Sequence, residues 1–217
     1  MTPTDLKLIA RTKPVFDGDW HNVRPDLASM VSKRRVLVVG GAGSIGSSVT
    51  EILFGATPET LHIIDVNENA LADLVRQIRS TVGYSETDFR TICFDPLHQG
   101  ADELIKQCGP YDLILNFAAV KHVRSEKDPF TLSRMFAVNV QLMRRLAEWA
   151  EMTGAGTLFS VSTDKAANPA NLMGASKRLM EMIGFSYGGG KFSTARFANV
   201  AFSNGGLLKA FGDRLDR

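Results

Sequence analysis

The stretch Arg35-Val36-Leu37-Val38-Val39-Gly40-Gly41-Ala42-Gly43-Ser44-Ile45-Gly46 decides how this chain folds. Four aliphatic residues in a row read as a strand buried on both faces. The helical pattern of Ile45 to Phe54 begins as soon as the glycines allow it. Strand, tight turn and helix in that order set a helix amino terminus, with its unpaired N–H groups and partial positive charge, over the end of the strand. The chain must turn sharply at Gly40, can bring its backbone against a pyrophosphate at Gly43, and must pack helix on strand at Gly46. Gly40, Gly43, Ser44, Ile45 and Gly46 are therefore candidate cofactor contacts. A glycine turn that merely joins strand to helix is the plainer alternative, and the strand before it and helix after it argue against that.

Outward from this point, short apolar runs alternate with longer amphipathic stretches. Strands are expected at Val36–Val39, Leu61–Ile64, Arg90–Phe94, Leu113–Asn116, Thr157–Val161 and Ser193–Phe197. Helices are expected at Ile45–Phe54, Ala70–Thr81, Ala101–Cys108, Phe130–Met152 and Ala175–Tyr187. This alternation predicts an α/β fold with a doubly wound parallel sheet, whose ligand site lies at the carboxyl ends of the strands. Residues 1–33 read as an arm with a short helix near Asp26–Ser32, 34–200 as the dinucleotide-binding domain, and 201–217 as the start of a substrate-binding region. Gly188-Gly189-Gly190 reads as a loop.

Composition excludes several classes. The 217 residues carry 25 Lys and Arg against 23 Asp and Glu, too even a balance for a nucleic-acid footprint. No run approaches a membrane span, and Met1 to Arg11 lacks the apolar core of a secretory signal. Cys93 and Cys108 read as unpaired, mostly buried thiols, which suits a cytoplasmic setting. No metal centre is expected.

Further along, Asp65 ends the second strand about 20 residues past the loop, where a carboxylate can accept hydrogen bonds from an adenosine ribose. That favours NAD, with NADP left open; a helix cap is the alternative role for Asp65. Asp95 can meet the adenine amino group or serve only an Asp-Pro turn. Lys121 and His122 follow the fourth strand and can meet a substrate diphosphate, or can simply be surface residues. A buried amide at Asn139, mid-helix, must find partners.

The fifth strand runs into Ser162-Thr163-Asp164-Lys165, followed by Met173-Gly174-Ala175-Ser176-Lys177. Together with Ala118-Ala119-Val120-Lys121-His122-Val123 and Arg196-Phe197-Ala198-Asn199-Val200, this text closely resembles the extended short-chain dehydrogenase/reductases. The branch it resembles makes capsule, O-antigen and flagellar glycans and includes the UDP-N-acetylglucosamine 4,6-dehydratases. The resemblance spans roughly Arg35 to Gly206. It implies a Rossmann fold, bound NAD or NADP, a nucleotide-sugar substrate and a homo-oligomer. It places Ala118 and Ala119 beside the cofactor, Asn199 at the nucleotide diphosphate, Lys177 at the nicotinamide ribose, and Ser162 or Thr163 on a sugar hydroxyl. Asn139 would brace the active-site strand.

Elimination of water across carbons 5 and 6 of a 4-keto sugar needs a base for the carbon-5 proton and an acid for the departing hydroxyl. Lys165 and Asp164 are the candidates, with a neutral Lys165 requiring desolvation or a neighbouring cation such as Lys177. A plain salt bridge between them is the alternative. The family's usual Tyr-x-x-x-Lys survives only in spacing, because Met173 occupies the tyrosine position and cannot move a proton. Members of the branch continue into a lobe that covers the sugar; this chain is expected to lack most of it, and so to bind NAD(P) but to turn over slowly, if at all, by itself. A nucleotide-sugar 4,6-dehydratase is the leading expectation; a 4-epimerase or reductase of the same fold and a non-catalytic dinucleotide-binding module are the alternatives.

Overall fold

A computed structural model of the chain describes residues 10–13, 16–187 and 191–200, with Ser203, Gly206, Leu208 and Arg214. The Gly188–Gly190 loop, the first residues of the arm and most of 201–217 lie outside them. The strands are β1 (Arg35–Val39), β2 (Thr60–Asp65), β3 (Asp88–Cys93), β4 (Leu113–Asn116), β5 (Thr157–Thr163) and β6 (Phe192–Phe197). All pair in parallel, in the order β3-β2-β1-β4-β5-β6. The helices are α1 (Asp17–Val31), α2 (Ser44–Gly55), α3 (Glu68–Thr81), α4 (Ala101–Cys108), α5 (Pro129–Phe136), α6 (Leu142–Thr153) and α7 (Leu172–Tyr187).

Alternation along β1 explains the layering. Val36 and Val38 point to one face, where they pack with Leu53, Phe54, Leu71, Leu74 and Ile78 from α2 and α3. Leu37 and Val39 point to the other, against Ile105, Leu142, Leu146 and Trp149 from α4 and α6. Successive side chains on a strand face opposite ways, so a strand apolar at every position needs helices on both sides. The expected doubly wound Rossmann sheet is the fold observed. Its strand order reverses direction between β1 and β4, and the crevice for a ligand opens outside their carboxyl ends. Register places Val39 beside Asn116, Asn116 beside Ser160 and Thr163 beside Phe197, so the segments leaving β1, β4, β5 and β6 emerge on one edge.

Three features depart from expectation. First, α1 is twice as long as the sequence suggests and carries Pro25 in its interior; its final turn docks through Val31, with Leu27 and Ala28 beside it. Secondly, the predicted single helix Phe130–Met152 is one run that widens into a π-turn at Ala137–Gln141, between α5 and α6. Such turns favour functional sites, and buried Asn139 sits in this one. Finally, Cys93 is exposed rather than buried. No helix among the described residues is long and apolar enough to cross a membrane.

Candidate functional site

The glycine loop has the geometry its sequence demands. Gly40 turns with φ +74°, and a Cβ there would collide with the backbone of Ala118. A Cβ on Gly46 would overlap the Gly40 carbonyl and come within 2.8 Å of the Gly41 Cα, so only glycine lets α2 approach so closely. Gly43 precedes α2 in an extended conformation, with no side chain capping the helix amino terminus. Those first-turn N–H groups are thus presented to the crevice, as an anion-binding helix terminus requires.

Asp65 holds this loop in place. Its carboxylate accepts from Ala42 N and from Asn67 N, both at 3.0 Å. The cap of α3 is Asn67, which accepts from Ala70 N at 3.0 Å, so the helix-cap alternative for Asp65 fails because its neighbour fills that role. Asp95 makes the turn named as its alternative role: one of its oxygens accepts from Leu97 N at 2.9 Å and the other pairs with Arg134 at 3.0 Å.

The crevice encloses about 790 Å³ and gathers residues from four strand ends. Of the expected site residues, Gly43, Ser44, Ile45, Gly46, Ala119, Lys121, His122, Ser162, Thr163, Lys165, Met173, Lys177 and Asn199 line it. Gly40, Asp65, Asp95, Ala118 and Asp164 do not. Among the described residues that line the cavity are three lysines and a histidine, and no carboxylate. A wall of that kind is built for an anionic ligand.

At the end of β5, one oxygen of Asp164 accepts from Thr163 Oγ1 at 2.9 Å, Lys165 N at 2.9 Å and Lys165 Nζ at 3.2 Å. The Thr163 hydroxyl, then Lys165, hold this exposed carboxyl below its usual range. The Lys165 side chain is 40% exposed. The salt bridge named as the plainer alternative is therefore present, and its partners favour the ionised form of Asp164. The desolvated lysine is Lys177 instead. It is 4% exposed, donates to Val161 O at 3.1 Å, and burial brings its ammonium down to about 8.

Ser162, which lines the crevice, donates its hydroxyl to Glu181 Oε1 at 2.6 Å and retains its acceptor lone pairs. Glu181, on α7, is held bidentately by Arg196 at 2.8 and 2.6 Å and touched by Arg178 at 3.3 Å. Arg196, followed by the other donors, keeps this buried carboxyl at about 2. Asn139 accepts from Val120 N at 3.1 Å and donates to Val120 O at 3.0 Å and Ser176 Oγ at 2.9 Å. It therefore braces the segment after β4 against α7, and its hydrogen bonds do not go to β5. Glu126, which the sequence did not single out, accepts from Met173 N at 2.7 Å and fixes the start of α7 from the same segment. Glu181 had a signal, its i+4 spacing from Lys177; Glu126 had none.

A profile of the family described as "Polysaccharide biosynthesis protein" matches residues 36–217. A Methanocaldococcus jannaschii protein named as an uncharacterized membrane protein is 31% identical over 88% of this chain and 56% of its own length. A UDP-N-acetylglucosamine 4,6-dehydratase (inverting) of Campylobacter jejuni is 25% identical over 84% of this chain and 54% of its own. The structure of a UDP-glucuronic acid 4-epimerase from Bacillus cereus, in complex with NAD, superposes with a TM-score of 0.67 at 18% identity, covering 84% of this chain and 63% of that one. The chain thus spans just over half the length of these two curated relatives.

Proposed function

The chain belongs to the polysaccharide biosynthesis protein family, and on that premise we propose that its crevice binds a nicotinamide dinucleotide and a nucleotide sugar for 4,6-dehydration. The observation that carries this reading is the lysine-lined, carboxylate-poor wall that runs from the amino terminus of α2 to the Asp164–Lys165 pair. Two pyrophosphates, one from each ligand, are the charges such a wall would neutralise.

The residues present fit the dinucleotide. The uncapped first turn at Gly43–Gly46 would take its pyrophosphate, Asp65 would accept from the adenosine ribose with its remaining lone pairs, and Lys177 would donate to the nicotinamide ribose. NAD is favoured over NADP by the carboxylate at Asp65. A dinucleotide held by these residues would supply reversible hydride chemistry for transient oxidation of the sugar at carbon 4. The Asp164 carboxylate would take the carbon-5 proton, and the Lys165 ammonium would protonate the hydroxyl leaving carbon 6. Lys121, His122 and Asn199 would orient the nucleotide diphosphate.

The test is to incubate the full-length protein with UDP-N-acetylglucosamine in deuterated water and analyse the sugar by mass spectrometry. Loss of water with deuterium at carbon 5 is expected, and Lys165→Ala should abolish it without weakening dinucleotide binding. An isomer of unchanged formula would mean epimerisation. An unaltered sugar would favour a dinucleotide-binding module, the reading to which the exposure of Lys165 points.

A further inference from the structure

Lys177 and Glu181 stand one helical turn apart on α7, the spacing at which a lysine and a glutamate ordinarily pair. They do not pair here. Both Glu181 oxygens are taken by Arg196, with Ser162 on one and Arg178 on the other. Lys177 is left with a backbone carbonyl, Val161 O at 3.1 Å, and the Met180 sulfur at 3.6 Å. An ammonium has three donors, and a buried one without a bonded anion is costly.

Resting on the reading of the crevice given above, we propose that Arg196 is a positioning residue. By gripping Glu181 through both oxygens it withholds from Lys177 the counter-ion one turn away, and so leaves the amine to exchange a proton with the ligand. The surrounding charges act the same way. Arg178 adds a second grip on Glu181 from α7 itself. Asp164 is occupied by Lys165, and Glu126 by the Met173 amide. Glu181 still attracts the Lys177 ammonium without bonding to it, and desolvation outweighs that attraction. Met173, four residues before Lys177, cannot move a proton, and no tyrosine stands among the described residues that line the crevice. As the carbon bearing a sugar hydroxyl gives up its hydride and the carbonyl forms, the hydroxyl proton would pass to neutral Lys177, forming its ammonium.

The chain, labelled with 13C at the lysine ε-carbons, allows Lys177 to be titrated by NMR without any substrate, its signal assigned by its loss in Lys177→Met. The wild-type midpoint is expected near the value of about 8 that burial gives it. Arg196→Lys retains one charge but releases an oxygen of Glu181, and the midpoint should rise by about one unit, a tenfold gain in proton affinity. A folded Arg196→Lys variant whose midpoint moves by less than about 0.3 units overturns the proposal. Should that variant fail to fold, Arg196→Gln combined with Glu181→Gln removes both charges; its midpoint should be no higher than wild type, and a rise overturns the proposal. A chain that leaves UDP-N-acetylglucosamine unchanged yet shows the Arg196 shift sinks the dehydratase reading and keeps this one. Dehydration without the shift does the reverse.

Discussion

Replacing Lys177 by methionine should abolish a rise in stability that the wild-type chain shows under alkaline conditions. Burial lowers the folded ammonium from the ordinary 10.5 to about 8. Between those values the unfolded chain holds a proton that the folded chain has lost, so raising the pH favours the folded state. Below the folded value both states are charged and the full cost of burying the ammonium is present. At about pH 9.5 the folded amine lies some 1.5 pH units past its midpoint, and at about 1.4 kcal/mol per unit the gain over neutral pH is about 2 kcal/mol. Buried Tyr111 acts oppositely, because burial raises its pKa, but it costs stability only as the unfolded phenol ionises near and above pH 10. Urea unfolding of wild type and Lys177→Met at about pH 7 and about pH 9.5 measures the difference. If both proteins change in parallel between the two conditions, Lys177 is not the desolvated group described here and the reasoning fails.

Other changes follow from the same geometry. Gly46→Ala places a Cβ against the Gly40 carbonyl and should cost about 2 kcal/mol in denaturant unfolding while weakening dinucleotide binding at least ~10-fold by calorimetry. Asn139→Ala strips three hydrogen bonds from a buried site and should destabilise by about 2–3 kcal/mol, visible as a lower urea midpoint with an unchanged slope. Asp95→Asn breaks a half-exposed pair with Arg134 and should alter stability by no more than about 0.5 kcal/mol. Its dinucleotide affinity should match wild type; a marked loss would restore Asp95 to the adenine.

Backbone-level features were legible in the sequence because they rest on local rules. Four aliphatic residues followed by Gly40 leave a strand and a sharp turn as the consistent reading, and β4 and α4 fall where periodicity sets them. The π-turn was hidden because a widened turn leaves the apolar spacing of the helix nearly intact. Side-chain partners were less legible, since three carboxylates near this crevice are claimed by groups distant in sequence, whereas Asp164 is held by its neighbours Thr163 and Lys165. Asp95 finds Arg134, Glu181 finds Arg196 and Ser162, and Glu126 finds the Met173 amide. Spacing can nominate a titratable residue, but its protonation is set by neighbours that only the folded chain assembles.

The most direct test is a crystal of this chain soaked in NAD. Pyrophosphate oxygens should lie within about 3 Å of the backbone N–H groups of Gly43–Gly46, with the nicotinamide ribose against Lys177. A dinucleotide bound elsewhere, or a crevice that stays closed to it, would contradict the account.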